Sequence, residues 1–158
     1  MRAIESLLFV CLGNICRSPM AEGLLRHRLV QRGLGDRLRI DSAGTGGWHA
    51  GSAPDRRAIL VCAEHGIDIR AQRARQLSIA DYDHFDLILC ADRDTLFSVR
   101  SLQPSPLSAE IALLLQWAGA SLSEVPDPYN GSEDDFRRVY RLLDSAADGL
   151  LARLQLSA

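Results

Sequence analysis

Short apolar runs alternate along the chain with segments whose apolar residues recur every three or four positions. Strands are predicted at residues 4–10, 37–41, 84–91 and 111–115. Helices are predicted at residues 18–33, 55–65 and 92–101, and a last helix from about Ser132. Uninterrupted apolar runs are typical of strands that are buried on both faces. Strand alternating with helix therefore predicts an α/β sandwich with a largely parallel sheet.

Several helix ends carry local signals. Ser18 and Pro19 follow the turn after the first strand and predict an N-cap with proline at the first helical position. Gly66 predicts the end of the second helix. The last helix begins with Glu133, Asp134 and Asp135, and negative charge is favourable at that end of the helix dipole.

The composition of the chain predicts one globular domain over residues 1–158. Its 158 residues are 47% hydrophobic, and no repeat, linker or low-complexity tract divides them. The N-terminal apolar run is too short to span a membrane and lacks a signal-peptide cleavage pattern. We therefore predict a cytoplasmic protein without membrane insertion. Four cysteines in such a chain predict reduced thiols in catalytic, redox or packing roles.

The charge balance excludes several classes of function. The formal net charge is −2, and no nucleic-acid motif is present, so we predict no nucleic-acid partner. All 18 basic residues are arginine. The absence of lysine excludes a P-loop lysine and a Schiff-base lysine.

The turn after the first strand has the composition of a phosphate-binding loop. Residues 9–19 read FVCLGNICRSP. Gly13 and Asn14 both tolerate positive φ, so successive backbone N–H groups can point inward at the start of the next helix. Arg17 adds a planar guanidinium that can bind two phosphate oxygens at once. The turn therefore predicts a site for a tetrahedral anion.

Cys11 is the candidate nucleophile in this loop. The inward N–H groups and the helix dipole would stabilise its thiolate, and a thiolate beneath a bound phosphate can attack phosphorus. Ser18 can donate its hydroxyl to the Cys11 sulfur and make that sulfur a better leaving group in a second step. This chemistry requires the spacing Cys-x5-Arg-Ser, which the chain has.

Asp127 is the candidate general acid for the leaving oxygen. Pro126 and Pro128 flank it and restrain a loop that could cover the site. Tyr129 could stack beside an aromatic leaving group. The alternative is that residues 126–131, PDPYNG, form only a turn before the last helix.

Five segments together resemble the low-molecular-weight protein tyrosine phosphatases. They are CLGNICRS at 11–18, DSAGTGGWH at 41–49, ARQ at 74–76, FDLILCAD at 85–92 and DPY at 127–129. They occur in order and at the family's spacing over nearly the whole chain. The resemblance implies a three-layer sandwich, in which a four-stranded parallel sheet is flanked by helices on both faces. It also implies a mechanism that uses no metal and no cofactor.

The resemblance implies a role for each candidate residue. Cys11 is the nucleophile, Arg17 binds the phosphate, Ser18 assists the thiolate, and Asp127 acts as general acid and then as general base. The phosphate-binding loop comprises Leu12, Gly13, Asn14, Ile15 and Cys16; the substrate pocket comprises Leu12, Trp48 and Tyr129; and loop support comes from Asn14, Ser42 and Gln72. Many relatives have histidine at the position of Gln72. The implied partner is a phosphotyrosine-containing protein such as a bacterial tyrosine kinase, and the implied state is a monomer or weak homodimer.

Other functions on the same fold require other residues. Arginine phosphatases that resemble this family have threonine where this chain has Ile15, and the larger apolar side chain favours phosphotyrosine. Arsenate reductases of this fold need two further cysteines close together, whereas Cys62 and Cys90 are widely separated in sequence. A noncatalytic phosphopeptide-binding module would use Arg17 but would need neither Cys11 nor Asp127.

Cys16 lies five positions after Cys11 and leaves three interpretations. A zinc site would need two more ligands, and the nearest candidates are Cys62 and His65 on one helical turn. A simple redox pair is the second interpretation. The third is a redox guard, in which the Cys16 thiol captures an oxidised Cys11 as a disulfide. The neighbouring Arg17 and Ser18 favour the guard.

Overall fold

The computed structural model describes residues 3–156 and contains a four-stranded parallel sheet. The strands are β1 (Ser6–Cys11), β2 (Arg39–Gly44), β3 (Leu87–Cys90) and β4 (Glu110–Leu113), in the order β2-β1-β3-β4. The helices are α1 (Arg17–Gln31), α2 (Arg56–Ala63), α3 (Asp81–His84), α4 (Arg93–Ser101), α5 (Leu114–Trp117) and α6 (Glu133–Arg153). The predicted α/β fold with four parallel strands is confirmed. The predicted domain, 1–158, includes two residues at each end that lie outside the described residues.

Two apolar clusters cover the two faces of the sheet. Leu7 and Phe9 of β1 pack into a cluster with α1, α2, α5 and α6, whereas Leu8 and Val10 pack into a second cluster with α3 and α4. Successive side chains of a strand point to opposite faces, so β1 is buried on both of them. This burial confirms the three-layer arrangement and explains why β1 reads as a continuous apolar run.

Several predicted element ends are displaced in the structure. The predicted strand at 37–41 lies instead at Arg39–Gly44, because the parallel register pairs Cys11 with Gly44. The predicted strand at 111–115 ends at Leu113, and α5 begins at the next residue. An apolar run does not distinguish a buried strand from a buried helical turn. The single turn of α3 is too short to show a helical period and was not predicted.

The start of α1 differs from the prediction. The helix begins at Arg17, Cys16 occupies the N-cap position, and no side chain caps this end. Ser18 therefore lies within the first turn, where its hydroxyl contacts Cys11 instead of capping the helix. Pro19 is tolerated there because the first turn of a helix needs no backbone N–H donors. The prediction of Ser18 as N-cap is wrong by two positions.

The carboxyl ends of the strands bring distant parts of the chain together. β1 and β3 are neighbours, so the turn after Cys11 lies beside the turn after Cys90. In open α/β sheets, ligands bind beyond this edge of the strands.

At the other end of the chain, Ser132 and Asp135 form a capping box that starts α6. Within residues 3–156, no helix has the length and apolar composition needed to cross a bilayer.

Candidate active site

Carbonyl groups of the loop of residues 12–16 bond to elements outside the loop. The Leu12 carbonyl accepts a hydrogen bond from the Gly46 N–H at 2.9 Å, and the Ile15 carbonyl accepts one from the Asp55 N–H at 2.8 Å. No hydrogen bond joins the backbone N–H groups of residues 13–16 to another group within residues 3–156. These N–H groups precede the positive end of the α1 dipole, so the loop is suited to an anion.

Asn14 holds the shape of this loop. Its φ is 58°, a left-handed conformation that costs a residue with a Cβ about 1 kcal/mol. Its side-chain amide donates to the hydroxyls of Ser18 at 2.8 Å and Ser42 at 3.0 Å, and its Oδ1 accepts the Arg75 N–H at 2.9 Å. The Ser42 hydroxyl in turn donates to Glu22 Oε1 at 2.6 Å. The predicted support by Asn14 and Ser42 therefore has direct contacts in the structure.

Two glycines provide space around the loop. A Cβ on Gly44 would lie 2.7 Å from the Leu12 carbonyl oxygen and 3.1 Å from the Asn14 nitrogen, so β2 can approach the loop only with glycine here. A Cβ on Gly13 would lie 3.0 Å from Cδ2 of His49. Gly13 does not have the expected positive φ. Its lack of a side chain leaves room for the His49 ring.

Cys11 and Ser18 meet at the centre of the loop. The Cys11 sulfur is buried and lies 3.0 Å from the Ser18 hydroxyl oxygen. When Cys11 is a thiolate, the Ser18 hydroxyl is the donor in this contact. The geometry can therefore stabilise a negative charge on the sulfur.

Arg17 is a buried cation anchored at one nitrogen. Its Nη1 donates to Asp92 Oδ2 at 2.6 Å and to the Val125 carbonyl at 2.9 Å, while Nη2 lies 3.7 Å from Asp127 Oδ2. Burial opposes the charge on Arg17, but Cys11, Asp92 and Asp127 outweigh it and raise the pKa of the guanidinium. Arg17 thus keeps its positive charge and directs Nη2 toward Asp127.

Asp92 was not predicted as a site residue. It caps α4 through Oδ1, which accepts the Thr95 N–H at 2.8 Å, and it binds Arg17 through Oδ2. Burial would raise the pKa of Asp92, but the hydrogen bonds from Arg17 and Thr95 lower it below its ordinary value. The available signal was a carboxylate just beyond β3, at the edge of the sheet where a ligand site was expected.

The segment that carries Asp127 is anchored at its start beside the loop. The Val125 N–H donates to the Ala91 carbonyl at 2.8 Å, just beyond β3. The Asp127 carboxylate remains 43% exposed, and its Oδ1 accepts the Tyr129 N–H at 3.1 Å. The segment leads into α6, as the turn interpretation expected, and it also brings Asp127 close to Arg17.

Arg57 anchors the other end of this segment and was not predicted. Its guanidinium donates to the carbonyls of Tyr129 at 2.9 Å and Gly131 at 2.8 Å. It also pairs with Asp55 at 3.0 Å, and the Asp55 N–H donates to the Ile15 carbonyl. Arg57 and Asp55 therefore connect the segment that carries Asp127 to the loop that carries Cys11.

These elements enclose a cavity of about 150 Å³, named here the Cys11 cavity. Its lining residues are Cys11, Leu12, Gly13, Ile15, Cys16, Arg17, Trp48, His49, Asp127 and Tyr129. The three predicted pocket residues are all among them. His49 was not predicted as a site residue, although it ends the segment DSAGTGGWH, and its ring lies 6.1 Å from that of Tyr129. Aromatic and apolar walls above a cationic, thiol-bearing floor suit a planar ring attached to an anion.

Gln72 does not contact the loop residues that it was expected to support. Its amide donates to the Pro19 carbonyl of α1 at 3.1 Å, and the bond to the Asn14 side chain at this edge comes from the Arg75 backbone. The structure therefore places the Gln72 amide on α1, and its hydrogen bond reaches the first turn of that helix instead of the loop of residues 12–16.

The four cysteines are free thiols in different surroundings. Burial, together with Asp55 and Cys11, raises the pKa of Cys16 well above its ordinary value. Cys62 and Cys90 belong to the apolar clusters on opposite faces of the sheet, and burial raises the pKa of each to about 12. They are therefore packing residues and do not form the close pair that an arsenate reductase needs. Within residues 3–156, no three His, Cys, Asp or Glu side chains converge as a metal site.

Residues 6–157 match the family model described as low molecular weight phosphotyrosine protein phosphatase. The chain is 40% identical over 151 residues to the low molecular weight protein-tyrosine-phosphatase YfkJ of Bacillus subtilis. This alignment covers 95% of this chain and 96% of that protein. It is 39% identical over 142 residues to the low molecular weight phosphotyrosine protein phosphatase of Homo sapiens, with 89% of each chain covered. Its fold matches a crystal structure of a protein tyrosine phosphatase from Entamoeba histolytica with Hepes in the active site. That match has a TM-score of 0.89 and 34% identity and covers 96% and 97% of the two chains.

We expect Asp92→Asn to weaken phosphate binding about tenfold and to lower the free energy of unfolding by about 1–3 kcal/mol at pH 7, because the buried Arg17 loses its charge partner. The lowered pKa of Asp92 means that its stabilising effect is present above the ordinary carboxyl pKa and is lost as the pH falls through the folded value. The difference in stability between parent and variant should therefore shrink below about pH 4.

Urea unfolding at several pH values and calorimetric titration with inorganic phosphate measure these effects. Asp94→Asn is the matched control, because Asp94 is exposed in the first turn of the same helix. Equal phosphate affinity in the parent and in Asp92→Asn would contradict the anchoring of Arg17 by Asp92.

Proposed function

Because the chain belongs to the low molecular weight phosphotyrosine protein phosphatase family, we propose that it hydrolyses phosphotyrosine in proteins through a cysteinyl-phosphate formed on Cys11. The observation that carries this proposal is the floor of the Cys11 cavity. There the Cys11 sulfur lies 3.0 Å from the Ser18 hydroxyl, beside the buried guanidinium of Arg17. We assign the activity to one domain of residues 1–158, as the family match over residues 6–157 supports.

In the first step, the Cys11 thiolate attacks phosphorus in line with the bond to the tyrosine oxygen. A sulfur–phosphorus bond forms and the phosphorus–oxygen bond breaks, while the Asp127 carboxyl gives its proton to the leaving phenolate. Arg17 and the inward N–H groups of residues 13–16 stabilise the three remaining phosphoryl oxygens. The anchoring of Arg17 Nη1 by Asp92 and Val125 supports this role, because the guanidinium is oriented before the substrate binds.

In the second step, the Asp127 carboxylate takes a proton from water as that water attacks the phosphorus of the cysteinyl-phosphate. The sulfur–phosphorus bond breaks, inorganic phosphate is released, and the Cys11 thiolate returns. The Ser18 hydroxyl donates to the departing sulfur, and the short distance between the two atoms supports this role. The cycle uses no metal and no cofactor.

The walls of the Cys11 cavity support phosphotyrosine as the substrate group. Leu12, Trp48 and Tyr129 provide apolar and aromatic surface for a phenyl ring, and the Ile15 side chain adds to it. The proposed substrate is a phosphotyrosine-containing protein such as a bacterial tyrosine kinase. The proposed oligomeric state of the enzyme is a monomer or weak homodimer. The four free thiols support a reducing compartment, the cytoplasm.

We expect Cys11→Ser to reduce hydrolysis of para-nitrophenyl phosphate at least roughly 1,000-fold, because a serine hydroxyl is a far weaker nucleophile than a thiolate. The parent should remain active in the presence of a metal chelator. The assay is steady-state release of nitrophenolate, with inorganic phosphate binding as the check that the loop still folds. Undiminished turnover by the variant would exclude Cys11 as the nucleophile.

Asp127→Asn should slow hydrolysis roughly 100-fold or more for phosphotyrosine and clearly less for para-nitrophenyl phosphate, because nitrophenolate departs more easily without a proton. The measurement is kcat for both substrates. Asp134→Asn, at a side chain 89% exposed in the first turn of α6, is the matched control. Equal losses on the two substrates would argue against general-acid catalysis by Asp127.

We also propose that Cys16 is a redox guard for Cys11. Peroxide would convert the Cys11 thiolate to a sulfenic acid, and the Cys16 thiol would condense with it to a disulfide and release water. The proximity of the two residues supports this, because both belong to one loop and both line the Cys11 cavity.

After brief peroxide treatment and addition of dithiothreitol, Cys16→Ser should recover several-fold less activity than the parent, because its sulfenic acid oxidises further. The readouts are recovered activity and mass spectrometry of the Cys11 peptide. Equal recovery, without a Cys11–Cys16 disulfide in the parent, would exclude the guard.

A further inference from the structure

A second cavity adjoins the Cys11 cavity and shares part of its wall. It has a volume of about 610 Å³ and is named here the α4 groove; its lining includes Leu12, Trp48, Gln76, Phe97, Ser101 and Leu102. Leu12 and Trp48 also line the Cys11 cavity. The Trp48 indole packs directly on the backbone of Gly46, where any Cβ would overlap the ring. Leu12 and Trp48 therefore form a common wall between the two cavities.

Four large apolar side chains of the α4 groove face solvent. Phe97 is 76% exposed, Trp48 73%, Leu102 52% and Leu12 46%. Single exposed apolar residues are common, but a cluster of them around one depression is typical of a binding surface. α4 packs on the sheet through Val99, which is fully buried. Phe97 projects on the solvent side and does not attach the helix to the sheet.

The α4 groove offers no partner to a charged ligand. Its lining residues include no Asp, Glu, Lys, Arg or His. Two of its polar side chains also bond within the fold: the Gln76 amide donates to the Thr45 carbonyl at 3.2 Å and the Ser101 hydroxyl to the Phe97 carbonyl at 2.8 Å. A charged group entering the groove would lose water without gaining an ion pair. The groove therefore favours an uncharged apolar side chain.

Building on the proposed function, we propose that the α4 groove binds a large apolar side chain of the substrate protein, within about three residues of its phosphotyrosine. A phosphotyrosine ring in the Cys11 cavity places its own backbone at the rim. An extended chain then advances roughly 3.3–3.6 Å per residue, so a neighbouring residue crosses the wall formed by Leu12 and Trp48. Beyond that wall, its side chain contacts Phe97 and Leu102.

Phosphotyrosine peptides of glycine and serine, with one leucine or one aspartate at each of three positions on either side, test this proposal. For at least one position, leucine should lower KM about tenfold relative to serine, with kcat unchanged, because the contact is equal in the ground and transition states. Aspartate at that position should give no such gain. Phe97→Ser should remove the leucine preference and leave hydrolysis of para-nitrophenyl phosphate unchanged. Val30→Ser, at a residue 63% exposed on α1, should keep the preference.

Persistence of the leucine preference in Phe97→Ser, or its absence from the parent at all six positions, would overturn the proposal while para-nitrophenyl phosphate is still hydrolysed. A parent that hydrolyses neither peptide nor para-nitrophenyl phosphate would instead overturn the proposed function and this proposal with it. Analytical sedimentation of the parent and of Phe97→Ser tests whether a second copy of the chain occupies the α4 groove. A dimer that Phe97→Ser dissociates without a change in peptide KM would assign the groove to self-association and overturn substrate binding.

Discussion

The left-handed backbone at Asn14, held by three hydrogen bonds of its side chain, is the constraint on which the site depends. The three bonds reach Ser18 in α1, Ser42 in β2 and the Arg75 backbone, so one amide joins three parts of the fold. Without them, the cost of positive φ at a residue with a Cβ would favour another turn. The Leu12 and Ile15 carbonyls would then lose their bonds to Gly46 and Asp55, and the N–H groups of the loop would lose their arrangement for an anion.

The buried charge of Arg17 is a second constraint, because it requires partners from distant parts of the fold. A guanidinium at 3% exposure is costly unless it is paired and hydrogen-bonded. Asp92 and the Val125 carbonyl satisfy its Nη1. Asp92 serves α4 as well, because its other oxygen caps that helix. The position of α4, and with it the exposed Phe97, is therefore coupled to the orientation of Arg17.

The two sides of the Cys11 cavity are built differently. On one side, Arg57 and Asp55 connect the segment that carries Asp127 to the loop through hydrogen bonds and an ion pair. On the other side, Leu12 and Trp48 separate the cavity from the α4 groove, whose lining is uncharged. This difference suits proton transfer on the polar side and recognition of apolar substrate groups on the other.

The residues of the phosphate-binding loop could be read from the sequence because they lie within eight positions of one another. Cys11 ends one strand, and Arg17 and Ser18 begin the helix that follows it, so their proximity depends only on local geometry. The order of apolar runs likewise sufficed for the sheet and its two covered faces. The N-cap was predicted at Ser18 instead of Cys16, because proline is tolerated throughout the first turn of a helix and so does not mark its first residue. The strand predicted at residues 111–115 extends too far, because an apolar run does not mark where a strand ends.

Asp92, Arg57 and the wall shared with the α4 groove could not be read in this way. Asp92 is 75 positions from Arg17, and Val125 is 108 positions away. They meet because β3 pairs beside β1 and the segment before α6 returns to that edge of the sheet. The sequence by itself determined the chemistry of the loop, because spacing and backbone preference act over a few residues. Only the tertiary structure decided which distant side chains hold Arg17, cover Cys11 and line the groove, because the order of the strands sets those distances.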